Sequence, residues 1–199
     1  MVVKDPLPME IDLKSVLEKV EKIVPNHLVY NLECIFVGQF EELEQREVQA
    51  VYLDGAIYVT NEQESEKDLF DDLVHETAHI AEEMAAAELY ADGDLEREFL
   101  AKREKLFNIL HHEGYNVEKK LYMEPEYSVE FDEFLYRGVG YERLAILAAG
   151  LFLTPYAATS LSEYFANGYE HFLMGRANQV GEISPTLHNK IEQIITTEI

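Results

Sequence analysis

The sequence predicts an α+β fold: a small mixed or antiparallel sheet, then one long helix, then a mostly helical C-terminal half. Three observations predict it. The strand-like runs all lie in the first third of the chain. Two of them, residues 48–53 and 56–60, are joined by Asp54-Gly55, a strong two-residue hairpin signal between β-branched and aromatic runs. Beyond residue 65 apolar residues recur at helical spacing, so strands come early and helices late.

Each element has a local reason. Residues 11–24 read as an amphipathic helix, with Leu13, Val16, Leu17, Val20 and Ile23 on one face and Pro25 as the stop. Residues 27–37 are rich in β-formers and predict a strand before the hairpin. Ser65 is the expected N-cap of the long helix, with Glu66 and Asp68 in its first turn. That helix is expected to run to about residue 89, where Ala91-Asp92-Gly93-Asp94 breaks it. A second helix, 95–112, should end at Gly114. Residues 115–127 look irregular. From Ser128 the chain is helical in pieces, broken at 138–140 and at Leu153-Thr154-Pro155. The last strong helix is 161–174, and a short one is expected from Pro185 to the end. With no repeat, low-complexity tract or linker, residues 1–199 are expected to form a single domain.

Composition excludes several classes. A 47% hydrophobic content with aromatics throughout is that of a folded chain. Sixteen basic against thirty-nine acidic residues give a net charge of −23, which repels phosphate backbones and argues against nucleic-acid binding. It favours a polypeptide substrate or partner protein with a basic or neutral surface. The longest apolar run, 144–153, is interrupted by Gly150 and too short to span a bilayer, and the N-terminus lacks the blocks of a signal peptide. The expectation is a soluble protein, cytoplasmic or virion-associated, with no membrane partner. Cys34 is the only cysteine, so any metal must be held by histidine and carboxylate.

The most informative segment is His75-Glu76-Thr77-Ala78-His79, a match to H-E-x-x-H inside the long helix. Positions i and i+4 share a helical face, so His75 and His79 can offer two imidazole nitrogens to one tetrahedral ion, with Glu76 beside them as a base. A chance match on a solvated helix is the plainer alternative, and a third ligand decides between them. The histidine-rich continuation would need glycine and histidine where Glu82 and Ala85 stand, so it fails. A later glutamate is the other common solution. Glu96 and Glu98 are possible on spacing, although their helix reads as charged surface. Glu163 is the stronger choice, because it opens an apolar helix where an unpaired carboxylate would be costly. Ser160-Leu161-Ser162-Glu163 also fits a capping box, in which Glu163 only reaches back to the N-cap amide.

The stretch Leu153-Thr154-Pro155-Tyr156, followed by Ser162-Glu163-Tyr164-Phe165-Ala166 and Phe172-Leu173-Met174, resembles the C-terminal catalytic motif of anthrax lethal-factor-like zinc peptidases. Those are gluzincins with a tyrosine seven residues before the liganding glutamate, as Tyr156 is to Glu163. The resemblance covers HETAH and this segment, and more loosely the preceding strands and the Ser184-Pro185 tail. It implies a zincin-like fold, Zn2+ held by His75, His79 and Glu163, Glu76 as general base, and Tyr156 stabilising the tetrahedral intermediate. One departure stands out. The family has a second carboxylate four residues after the liganding glutamate, and here that residue is Asn167. An amide oxygen can orient an imidazole N–H but polarises the ring less, which implies weaker zinc affinity or lower activity. The delivery and receptor-binding domains of the lethal toxin have no counterpart here.

The expectation is therefore a zinc-dependent endopeptidase, a metalloprotease of the hydrolase class. Residues Ala56, Ile57, Tyr58 and Val59 are expected to form an exposed sheet edge that pairs with extended substrate. The alternative is a non-catalytic structural or assembly protein, viral ones included, that keeps the fold and the metal. Other histidines have plainer explanations: His111 and His112 at a helix C-terminus, His171 turned roughly 80° from Glu163, and His27 and His188 in isolation. The run Glu41-Glu42-Leu43-Glu44 reads as a solvated face.

Overall fold

Asp12 and Ser65 begin the two helices on which the first part of the chain is built. Asp12 accepts hydrogen bonds from the amides of Lys14 (3.0 Å) and Ser15 (3.2 Å), and Ser65 accepts from Asp68 N (3.2 Å). The computed structural model describes residues 1–44, 46 and 48–197. Elements follow in the order β1 (Val2–Val3), α1 (Leu13–Ile23), β2 (Cys34–Val37), α2 (Glu41–Glu44), β3 (Ala50–Leu53), β4 (Ala56–Val59) and α3 (Glu66–Met84). Then come α4 (Ala86–Tyr90), α5 (Asp94–His112), α6 (Lys119–Tyr122), α7 (Val129–Glu133), α8 (Tyr141–Leu147), α9 (Leu161–His171), α10 (Ala177–Ile183) and α11 (Pro185–Thr196). The fold is α+β, and no helix among the described residues is long and apolar enough to cross a membrane.

Contacts cluster in two units, the first comprising Met1–Ala85 with the chain from Ile194, the second Ala86–Gln193. In the first unit, four strands form a mixed sheet of order β1-β2-β4-β3. β1 and β4 flank β2 in parallel, and β3 and β4 make the antiparallel hairpin. Asp54 (φ 48°) and Gly55 (φ 82°) both take positive φ, the signature of a type I′ turn. α3 packs on β3, β4 and α1, burying Leu69, Leu73 and Val74 together with Val16 and Ile57.

Three local expectations change. β4 is an inner strand, bonded to β2 on one side and β3 on the other, so Ala56, Ile57, Tyr58 and Val59 are not an exposed edge. The edges are β1 and β3; the added pairing with β2 was invisible locally, since partner choice is a long-range property. Of 27–37 only Cys34–Val37 is strand, and Asn26–Leu28 is a 3₁₀ turn following Pro25. The long helix ends at Ala85 (φ −109°, ψ 23°), before the expected 89, within a run of alanines that contains no breaker.

The second unit is helical. α5 ends as expected at Gly114 (φ 91°), where Tyr115 N donates to Leu110 O (3.0 Å). A short helix, α6, lies within the stretch expected to be irregular, and α10 fills a segment with no assigned element. Arg103, 1% exposed, makes five hydrogen bonds to main-chain carbonyls: Leu121, Tyr122 and Glu124 around α6, and Ala158 and Thr159 just before α9. Its guanidinium lies 3.8 Å from the Phe131 ring centroid. Glu98 accepts from Thr186 N (2.8 Å) and Leu187 N (3.1 Å) at the start of α11, and from the Tyr164 hydroxyl (2.8 Å).

Close approach of α9 and α11 requires Gly168. A Cβ there would lie 2.3 Å from Leu187 Cδ2 and 2.9 Å from its Cγ. Gly168→Ala is expected to destabilise the chain by about 1–3 kcal/mol through overpacking. Urea unfolding checks this: the midpoint should fall with the slope unchanged.

Candidate functional site

The residues singled out in the sequence fall into two sets, each built within its own unit. In the first unit the set belongs to α3. His75 and His79 stand one turn apart on a shared face, ring centroids 5.2 Å apart and planes inclined at 75°. Both are half-buried, and Glu76 between them is 6% exposed. Glu76 Oε2 accepts the Tyr52 main-chain amide at 2.6 Å. That N–H comes from edge strand β3 at a residue not hydrogen-bonded within the hairpin, so it is aimed outward. The Tyr52 hydroxyl donates to Glu83 (2.8 Å), and this bond, with burial as the larger cause, raises the phenol to about 12. Tyr52 is thereby fastened to α3 by main chain and side chain together.

The same helix carries carboxylates beside both histidines. His79 Nδ1 lies 3.5 Å from Glu82 Oε2. Asp72, one turn before His75, interacts with that ring and accepts from Gln63 Nε2 (2.9 Å). Burial raises the Asp72 pKa, against the Gln63 bond and His75, which lower it. Carboxylates in such positions orient imidazoles and increase their basicity as ligands. Sequence reasoning passed over both; the signal was their i, i+3 spacing to the histidines.

In the second unit, Ser160 caps α9, its Oγ accepting from Glu163 N at 3.0 Å. This is one half of the capping box. The Glu163 carboxylate accepts a hydrogen bond from Tyr156, seven residues earlier on the 3₁₀ turn Tyr156–Ala158. Burial first, then the Glu163 charge, push the Tyr156 phenol far above its ordinary range, so it stays a proton donor at neutral pH. Its hydroxyl is on a carboxylate and its ring is half-buried, edge-on to Tyr141 at 6.3 Å. Tyr141 and Tyr127 both donate to Asp132, at 2.6 and 2.7 Å. This Tyr–Asp–Tyr group was not foreseen, because its members lie on separate elements.

Asn167 is 4% exposed, and its amide is occupied within the second unit. Nδ2 donates to Glu163 O (3.1 Å), and Oδ1 accepts from the Thr154 hydroxyl. Within this unit the Asn167 amide thus joins Thr154 to the backbone of α9. His171 is buried, its Nδ1 3.0 Å from Asn167 O, and burial lowers its pKa. His111 stacks on Phe107, His188 lies against Phe172, and His27 Nε2 meets Ile194 O at 2.9 Å. Glu98 caps α11 and Glu96 is exposed on the first turn of α5.

Comparison with protein-family models, curated proteins and solved structures finds no match.

Removing the cap that starts α9 has a defined expectation. Ser160→Ala should cost about 1 kcal/mol of stability, and Ser160→Thr should recover most of it. Chemical denaturation of the two variants measures the difference.

Proposed function

We propose that this protein is a zincin-like, zinc-dependent endopeptidase in which His75, His79 and Glu163 hold one metal ion. The observation that carries the reading is on α3: two imidazoles one turn apart on a shared face, ring centroids 5.2 Å apart, with the buried Glu76 between them in sequence. Two imidazoles and a carboxylate suit zinc and leave a coordination position for substrate chemistry. The carboxylates beside His75 and His79 support it, and so does a tyrosine hydroxyl already engaged with Glu163. Zinc, when bound, supplies an acidified water and polarises the scissile carbonyl.

The chain's own residues carry the proton and the developing charge. Glu76, held by the Tyr52 amide, accepts a proton from the attacking water and passes it to the leaving amine. Tyr156, kept protonated, donates to the oxyanion as it forms. The net charge of −23 favours substrates with basic or neutral surfaces.

Metal analysis and a peptide-library assay test the reading. Wild type should bind one zinc per chain and cleave peptides; chelation should abolish cleavage and zinc restore it. Glu76→Gln should abolish turnover with zinc retained, whereas His79→Ala should lose the metal. Zinc binding without cleavage of any peptide would favour the non-catalytic structural role. Equal zinc loss in both variants would remove Glu76 from the role of base.

Tyr156→Phe separates catalysis from packing. It should lower kcat roughly 10²-fold with little change in KM or zinc content, since its bond to the oxyanion forms chiefly in the transition state. A variant that loses stability and keeps its kcat would take Tyr156 off the site.

A further inference from the structure

We propose that Thr154 is a positioning residue for Tyr156, acting through Asn167; the inference rests on the peptidase reading above. The Thr154 hydroxyl is used at both of its functions. As an acceptor it takes the Ala157 amide (3.3 Å), closing the turn that contains Tyr156. As a donor it bonds Asn167 Oδ1, on the helix that carries Glu163. Asn167 Nδ2 then donates to Glu163 O (3.1 Å). One hydroxyl and one amide in series join the tyrosine's turn to the glutamate's own backbone. Pro155, between Thr154 and Tyr156, removes one backbone freedom from the link.

The series explains why position 167 is an amide. The residue must accept at one end and donate at the other, and a carboxylate has no proton for the second bond. Asp at 167 would set a charge against the Glu163 carbonyl in a site that is 4% exposed. Asn167 therefore serves the placement of Tyr156 relative to Glu163. The same turn is held from its far side, where Thr159 Oγ1 donates to Tyr156 O (2.8 Å) and Arg103 binds the carbonyls of Ala158 and Thr159. Those bonds fix the main chain after the tyrosine; Thr154 ties the side before it to α9.

Turnover of Thr154→Val, Thr154→Ser and Asn167→Asp tests the proposal, with zinc content and thermal unfolding measured alongside. Thr154→Val should lower kcat roughly 10-fold to 10²-fold at nearly constant KM and zinc, because a displaced donor weakens the transition state and not the ground state. Thr154→Ser keeps the hydroxyl and should restore the rate. The double variant Thr154→Val/Tyr156→Phe should lose little more than Tyr156→Phe alone, since a displaced hydroxyl matters only while the hydroxyl is present. Asn167→Asp should reproduce the kcat loss and guards against a Thr154→Val chain that does not fold. An active wild type with a fully active Thr154→Val, or with losses that multiply in the double variant, overturns the inference and leaves the peptidase reading intact. A wild type that neither binds zinc nor cleaves peptides overturns both.

Discussion

A buried guanidinium organises the second unit. Arg103 sits on α5 with its donors spread over carbonyls from two stretches of chain distant in sequence. Those stretches lack long elements of their own: α6 is a single turn, and Ala158 and Thr159 belong to a 3₁₀ turn and its end. Main-chain carbonyls buried without partners would be costly, and a planar fork satisfies several at once where a lysine could not. The turn bearing Tyr156 and the cap that starts α9 are therefore anchored to a long helix. Lys102, the next residue, does similar work with Leu151 O (2.7 Å) and Ile183 O (2.6 Å), and burial lowers its pKa to about 8.

The chemistry-bearing residues have unequal support. On α3 everything comes from one rigid helix and the strand beside it, so His75, Glu76 and His79 inherit their arrangement from helical periodicity. Glu163 and Tyr156 depend on a turn, a cap and a buried amide, each a separate hydrogen bond. A functional group on a turn is only as well placed as the bonds that fix the turn. Polar residues are accordingly concentrated there: Thr159 and Ser160 are 0% and 2% exposed, a burial that only satisfied hydroxyls tolerate.

What could be read from the sequence follows the range of the interactions. The Asp54-Gly55 turn, the Ser65 cap and the Gly114 stop are local, and each appears where residue chemistry places it. The i, i+4 histidines were legible for the same reason, whereas Tyr156 was singled out only by the family resemblance. Strand order was not, because Val2 and Val3 carry no turn signal and their pairing with β2 is long-range. The halt at Ala85 was hidden in Ala-rich sequence of high helix propensity. Arg103 and Thr154 read as an ordinary surface arginine and an ordinary turn threonine until their partners, far along the chain, are known.

The first unit is discontinuous, since it includes the chain from Ile194, whose carbonyl meets His27 Nε2. All of the second unit is threaded between its two pieces. On a ribosome, the sheet, α1 and α3 would emerge early and then wait for the closing segment. Vectorial synthesis thus offers this unit no completed native state until translation has passed residue 194. A nascent chain stalled earlier would expose an unfinished apolar surface to chaperones, so assembly of the first unit is coupled to synthesis of the segment from Ile194.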